Sequence, residues 1–498
     1  MTIPKILHFT WKTKTLTRFA QKIWDDWART HPDWEMKLWD DGDIRALVEE
    51  HYPEHLPTFD GYPSGIFRAD AFRFFVLHRE GGVYADLDVV PKGRIDPLCA
   101  ATSCFVGAEP EIHVEENDGR YRGMPFVLCN AFMGSEPGHP FWQRCLDRLA
   151  QCSVSGDVVD ATGPRFVNGV ALCAPPEERP DALLPNYWSP LSGWGRYCPT
   201  SEAYADAVAA EFRVIGRGEP ALVSHLWRNS WFMPFFYKGP QFWRLPNRLQ
   251  WWWRARRHKE LSGLEFKAPS RSYADQEIKV PAELPPLYVA VDLSEGRSEG
   301  LAALLQGLSY PAEKLTFGFF GGRVEGVAGE MHAATADAAQ RHNAMLEASA
   351  GKGDFVLLDG RLASLPPGIL EAMVGAERPV VTVNVVSGEG EDRNEHTLLY
   401  NADLFKALFR AGIRDGEVHP RASSSVLPLH DFRYLNIAPV TTAGADLLLV
   451  RQAVAEAGVR FAEMPYKLHG DVRGLALLSR DRGFEVAALP NWTAVTTR

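Results

Sequence analysis

Residues 64–90 read SGIFRADAFRFFVLHREGGVYADLDVV, and the placing of apolar, charged and glycine residues in this run decides the fold. Ser64 stands where a helix N-cap belongs, a helix continues from Gly65 to about Glu80, and Gly81-Gly82 ends it. Val83 to Val90 then resumes as a strand. Upstream, Lys5-Ile6-Leu7-His8-Phe9-Thr10-Trp11 is apolar enough for a buried first strand. Phe19, Ile23, Trp24 and Trp27 recur at helical spacing between Thr17 and Thr30, before His31-Pro32-Asp33 stops that helix. Trp34 to Trp39 alternates apolar and charged side chains and reads as a second strand. The order strand, helix, strand, helix, strand predicts an α/β fold with a mainly parallel, Rossmann-like sheet covered by helices.

The chain has 498 residues, 46% of them hydrophobic, enough for two sizeable cores. A composition shift marks the expected boundary. From Trp227 to Lys259 acidic residues vanish while Trp, Phe, Arg and Lys crowd together, and 260–285 is polar and proline-rich. We therefore expect a first domain over 1–259, a linker over 260–285 and a second α/β domain over 286–498. In the last, strands are expected at Leu287–Val291, Leu315–Phe320, Phe355–Leu358, Val380–Val386 and Leu447–Val450, with a helix through Leu304. The formal net charge of -10 argues against a nucleic-acid partner, which would reward a dense basic surface. No basic and apolar leader precedes Pro4 and no apolar run reaches membrane-spanning length, so the cytosol is the expected compartment. The seven cysteines are never spaced as a zinc or redox pair, which favours reduced, mostly buried thiols.

Asp86 and Asp88 carry the chemistry. Two carboxylates two apart on a strand would share a face with Tyr84 at the carboxyl end of the sheet, where open α/β sheets bind ligands. There they could hold a magnesium or manganese ion against the charge of a diphosphate. The competing reading is a solvated strand end, and Asp41-Gly42-Asp43 repeats the same pattern elsewhere. Asp70 and Arg73 lie three apart on one face of the preceding helix, with Arg68 near enough to join them. Charges in so apolar a helix need partners, either each other in a structural salt bridge or a ligand.

The run Arg68-Ala69-Asp70-Ala71-Phe72-Arg73, followed by Gly81-Gly82-Val83-Tyr84-Ala85-Asp86-Leu87-Asp88, resembles the signature of family 32 glycosyltransferases, whose sugar-binding region carries a DXD motif on a GT-A fold. Pro4–Trp11, Leu38–Asp41, Asn130–Met133, Thr162-Gly163-Pro164 and Ser230-Trp231 are similar to that family as well, so the likeness covers about residues 1–235. It implies a retaining transfer of a hexose from a UDP- or GDP-sugar to a glycan or lipid-linked acceptor, with a front-face substitution and no conventional general base. It implies further that Asp88 ligates Mn2+ or Mg2+, with Asp86 on the ribose or on the metal through water, and that Asp70 and Arg73 grip donor hydroxyls. By the same resemblance Trp11, Arg68 and Tyr84 belong to the donor site, His225 completes the metal shell, and Ser230 with Trp231 forms a lid over the phosphates. The structural alternatives are a core tryptophan at 11 and a structural histidine at 225.

Residues 232–259 combine Trp251-Trp252-Trp253 with Arg244, Arg248, Arg254, Arg256 and Arg257, which fits either an interdomain packing segment or an anchor on an anionic membrane surface. The C-terminal half resembles family-2 or Anp1-like GT-A sequences, so the fold implied is two tandem GT-A-like domains. Its Asp-x-Asp position reads Asp359-Gly360-Arg361, and a cation in place of the second carboxylate repels a metal ion. A noncatalytic acceptor-binding or scaffolding domain is expected there, with a metal-independent transferase as the alternative. The rivals for the whole chain are a sugar- or lipid-binding scaffold without activity and a metal-dependent hydrolase of nucleotide sugars, for which the sequence shows no positioned base beyond generic carboxylates.

Overall fold

The computed structural model describes residues 3–114, 124–191, 199–227, 276–388, 394–395, 398–400, 412–414, 417–419, 426–466 and 469–497. The chain divides into two compact units, 1–153 with 161–270, and 154–160 with 271–498. Each is a helix-covered mixed sheet dominated by parallel neighbours at its centre or edges.

In the first unit β1 (Ile6–Thr10) pairs in parallel with both β2 (Glu35–Trp39) and β3 (Gly82–Ala85). Helix α1 (Arg18–Thr30) crosses between β1 and β2, capped by the Thr17 side chain on the Ala20 amide. Its Ile23 and Trp27 sink into a core with Leu7, Phe9, Val83 and Phe132. Two helices that the periodicity did not suggest, α2 (Asp41–His51) and α3 (Leu56–Gly61), precede α4 (Gly65–Glu80). The second Asp-x-Asp is thereby explained. Asp40 and Asp43 form a reciprocal capping box at the start of α2, and Asp43 also meets Lys14, so Asp41-Gly42-Asp43 is a helix start. Ser64 occupies the N-cap position of α4, but its side chain makes no capping bond.

Beyond β3 the sheet continues through β6 (Leu128–Ser135), β5 (Cys104–Ala108), β7 (Asp181–Leu183) and β8 (Val214–Ile215), in the order β2-β1-β3-β6-β5-β7-β8. The expected strand Val83–Val90 is a correction. It breaks at Ala85, residues 86–88 turn, and β4 (Val89–Pro91) leaves the sheet to pair antiparallel with β9 (Val223–His225). The alternation argument for a shared face of Tyr84, Asp86 and Asp88 fails with it.

Gly81 and Gly82 make the step from α4 into β3 at φ 65° and 86°. A Cβ on Gly82 would stand 2.7 Å from the Ile6 carbonyl oxygen and 3.1 Å from His8 Nε2. The contact is tight because buried His8 bonds the Gly81 carbonyl at 2.9 Å through Nε2. Trp39 donates to its Nδ1 at 3.2 Å, which fixes the neutral tautomer with the proton on Nε2. Burial pushes this imidazole down to about 4, so it stays uncharged.

The second unit builds its sheet from β10 (Leu287–Asp292), β11 (Leu315–Phe320), β12 (Glu330–His332), β13 (Asp354–Asp359), β14 (Leu362–Ser364), β15 (Val380–Ser387), β16 (Leu447–Val450) and β17 (Val486–Thr496), in the order β12-β11-β10-β13-β16-β15-β17-β14. All five strands read from the sequence are present. The tail of the expected linker is not free: Gln276 is buried with its amide on Ile437, and the Lys279 amide bonds Gly375, so 276–285 packs on this unit. Residues 232–259, with their anchor and packing readings, lie outside the described residues. Among those described, no helix is long and apolar enough to cross a membrane. Cys99, Cys104, Cys129, Cys145 and Cys152 are buried and Cys173 is partly exposed, and none of these six is in a disulfide.

Gly82→Ala forces a side chain into the left-handed region against the β1 backbone. We expect it to destabilise the first unit by about 1–3 kcal/mol, read as a lowered urea midpoint; an unchanged midpoint would refute the steric account.

Candidate active site

Arg73 organises the site. It sits on α4, 5% exposed, with its guanidinium stacked 4.7 Å over the Tyr84 ring. One terminal nitrogen reaches Asp70 Oδ1 at 2.8 Å and Asp86 Oδ1 at 3.1 Å, and the other donates to the Asn130 carbonyl at 2.7 Å. That carbonyl is available because the β5–β6 register slips between Val106 and Gly107, bulging the Asn130–Phe132 segment. The bulge also gives Ala131 O to the Asp86 amide at 2.9 Å. Tyr84, wholly buried, donates to Asp86 Oδ1 at 2.8 Å and shares a 2.9 Å hydroxyl contact with Thr10 Oγ1 on β1.

From Asp86 the chain turns, with the Val89 amide on the Asp86 carbonyl at 2.9 Å, and this turn presents Asp88 toward β9. Val89 pairs with His225, and His225 Nε2 lies 3.0 Å from Asp88 Oδ1. Asp86, Asp88 and His225 thus offer ligand atoms all within 4.8 Å of one another, the group among the described residues able to hold a metal ion. Their chemistry fits a divalent cation. Burial, reinforced by Asp88, raises the Asp86 carboxyl even though Arg73 and His225 oppose it. Burial would lower His225, yet Asp88 outweighs it and raises the imidazole. A divalent cation held by these three groups would relieve the repulsion of the two carboxylates.

Of the site residues expected from the sequence, Asp70, Arg73, Asp86, Asp88 and His225 come together. Trp11 lies just beyond β1, partly buried, and packs on the edge of the core. Two residues expected at the donor are engaged elsewhere in the fold. Tyr84 has no exposed surface to offer a donor, since its hydroxyl is used to hold Asp86. Arg68 turns its guanidinium to the Tyr62 carbonyl at 2.8 Å rather than to the Asp70–Arg73 pair. Ser230 and Trp231 lie outside the described residues. Sequence reasoning missed Thr10 and the Asn130 carbonyl as supports. Thr10 was findable, since it lies two residues beyond His8, which pairs with Tyr84 in the β1–β3 register.

The second unit has a different carboxyl edge. Asp292 and Asp359 stand side by side at the ends of β10 and β13. Arg361 folds back onto Asp359 with bonds of 2.9 and 2.6 Å. Asp292 pairs with Arg341 at 2.9 Å and lies 3.4 Å from His342, whose other nitrogen reaches Asp471 at 2.8 Å. Although burial alone would raise it, Asp292 is held well below the usual carboxylate range by His342, Ser294 and Arg341.

Comparison with known proteins places the first of these sites. Residues 18–105 match the glycosyltransferase sugar-binding region containing DXD motif. The match takes in Asp70, Arg73, Asp86 and Asp88. Inositol phosphoceramide mannosyltransferase 3 of Schizosaccharomyces pombe is 34% identical over 174 residues, which are 33% of this chain and 44% of that protein. Mannosyl phosphorylinositol ceramide synthase SUR1 of Saccharomyces cerevisiae is 32% identical over 171 residues, 33% of this chain and 41% of that one. The chain thus spans less than half the length of these relatives. Among solved structures, mannosyltransferase PcManGT from Pyrobaculum calidifontis in complex with GDP-Man and Mn2+ is 14% identical, with a TM-score of 0.28, over 50% of this chain and 63% of that one.

Two predictions follow from the Arg73 network. Arg73→Met would leave Asp70 and Asp86 buried without their shared cation, so we expect a loss of about 3–5 kcal/mol in denaturant unfolding; a loss below about 1 kcal/mol would show that the carboxylates simply protonate. Burial, only partly offset by Arg73, pushes Asp70 up to about 6 from its ordinary 3.8. In that interval the folded chain keeps a proton that the unfolded chain has released, so the Asp70 contribution to stability falls as pH rises from 3.8 to about 6 and is flat above it. Melting temperatures across this range should show a slope that Asp70→Asn flattens; equal slopes would refute the assignment.

Proposed function

We propose that this chain is a retaining, metal-dependent hexosyltransferase that moves the sugar of a nucleoside-diphosphate hexose onto a glycan or lipid-linked acceptor. The observation that carries the proposal is the convergence of Asp86, Asp88 and His225 beside the Asp70–Arg73 pair, with Asp70, Arg73, Asp86 and Asp88 inside the stretch that matches a DXD sugar-binding region. Asp88, Asp86 and His225 would hold the divalent cation, manganese or magnesium, which when bound supplies positive charge against the departing diphosphate. Arg73 fixes the Asp86 and Asp70 carboxylates, so the groups facing the donor are set before it arrives. Asp70 has the hydrogen-bonding capacity to orient sugar hydroxyls. No side chain is assigned as general base; the leaving diphosphate oxygen takes the acceptor proton on the same face as attack. The named relatives, mannosyltransferases acting on an inositol phosphoceramide, support mannose as the hexose and a lipid-linked acceptor. The second unit is proposed as noncatalytic, because Arg361 already occupies the carboxylate that a metal would need.

Calorimetric titration of wild type and Asp88→Ala with UDP- and GDP-hexoses, with and without Mn2+, tests this. Binding of one nucleotide sugar that requires Mn2+ and disappears in Asp88→Ala is expected. Equal binding by both proteins, or by neither, would favour the nonenzymatic scaffold.

A further inference from the structure

The His225 imidazole is held in an unusual way. A metal-ligating histidine is ordinarily aimed by an acceptor on its second ring nitrogen, usually a carboxylate or carbonyl. His225 Nδ1 is buried and has no hydrogen-bond partner among the described residues. Rings hold it instead. Trp227 lies 4.1 Å from the imidazole at 41°, Trp188 lies 5.8 Å from it at 26°, and the two indoles are 6.1 Å apart, so the three rings form a triangle.

Both indoles are themselves fixed. Trp188 is wholly buried and donates to the Ala108 carbonyl at 2.6 Å. It can lie flat on β5 because residue 107 is glycine, where a Cβ would come within 2.4 Å of the indole. Trp227 Nε1 donates to Ser189 Oγ at 3.0 Å and to the Leu191 carbonyl at 2.8 Å. The His113 ring stands nearly perpendicular to it, with the ring centres 4.3 Å apart. The Trp227 backbone adopts φ 50°, the left-handed region that a bulky side chain rarely enters. A strained residue with a doubly anchored side chain, packed on a candidate ligand, is the pattern expected of a functional constraint.

We propose that Trp227, backed by Trp188, is a positioning residue that aims His225 Nε2 at the cation site, replacing by ring packing the hydrogen bond that Nδ1 lacks. This rests on the reading of Asp86, Asp88 and His225 as a metal site. The ring stack restricts imidazole rotation without drawing on the Nδ1 proton, so Trp227 sets ligand geometry and leaves ligand basicity alone.

The test uses the full chain with Mn2+ alone as probe, in wild type, Trp227→Leu, Trp227→Phe, His225→Ala and the Trp227→Leu/His225→Ala double variant. Mn2+ affinity is measured by calorimetry, and imidazole coordination by the nitrogen coupling in the pulsed electron paramagnetic resonance spectrum of bound Mn2+. Circular dichroism checks the fold. We expect Trp227→Leu to weaken Mn2+ binding about 10–100-fold and to diminish the nitrogen coupling, and Trp227→Phe to shift the coupling with a smaller loss of affinity. In the His225→Ala background, Trp227→Leu should cost nothing further. A folded Trp227→Leu variant with wild-type affinity and coupling would overturn the proposal, as would an equal loss with and without His225. Should the Leu variant not fold, an unshifted coupling in Trp227→Phe overturns it. If the wild type binds no Mn2+, or binds it without nitrogen coupling, the metal reading itself fails and the clamp falls with it.

Discussion

A single buried guanidinium facing two carboxylates is the constraint around which the first unit is built. Arg73 cannot lose its proton, and so its position inside an apolar helix is tolerable only because Asp70, Asp86 and the Asn130 carbonyl converge on it. Each partner comes from a different place: Asp70 from the same helix, Asp86 from the end of β3, and Asn130 from a bulge in β6. One cation tying three elements fixes the spacing of helix and sheet at their carboxyl end, and with it the place of Asp86 and Asp88.

Much of this was legible in the sequence, for reasons that differ by element. The strands β1 and β2, helix α1 and the five strands read in the second unit follow from apolar patterning, which burial enforces, and α4 was bounded by Ser64 and the glycine pair. The break at Ala85 was not legible, because Leu87, Val89 and Val90 keep strand-like composition through the turn; what ends the strand is the pairing of β4 with β9, a partner more than 130 residues away. Helix α2 was hidden for the opposite reason. Its start, Asp40 to Asp43, looks like a metal motif by composition and is a capping box by geometry. Composition cannot separate carboxylates that accept backbone amides from carboxylates that face a cation.

The same limit explains which candidate site residues the structure brings together. Asp70 and Arg73 were identifiable because a charged pair in an apolar helix demands partners. Tyr84 and Arg68 were assigned outward roles from their neighbours in sequence, and both are turned inward, Tyr84 to brace Asp86 and Arg68 to the Tyr62 carbonyl. The two units also answer one problem differently. In the first, Asp86 and Asp88 converge on His225, so the three offer ligand atoms within 4.8 Å of one another. In the second, Asp359 is closed by Arg361, whose guanidinium keeps its charge at any ordinary pH.

The pairing of β4 with β9 also bears on how the site comes into being. His225 meets Asp88 across a sequence separation of 137 residues. During synthesis from the N-terminus, β1, β2, α4 and β3 have all emerged, and can pair, long before β9 exists. Closing so long a loop costs entropy that only late contacts repay. The candidate ligand set therefore comes together late in synthesis: a nascent chain that has already paired β1, β2 and β3 still carries Asp88 without its histidine.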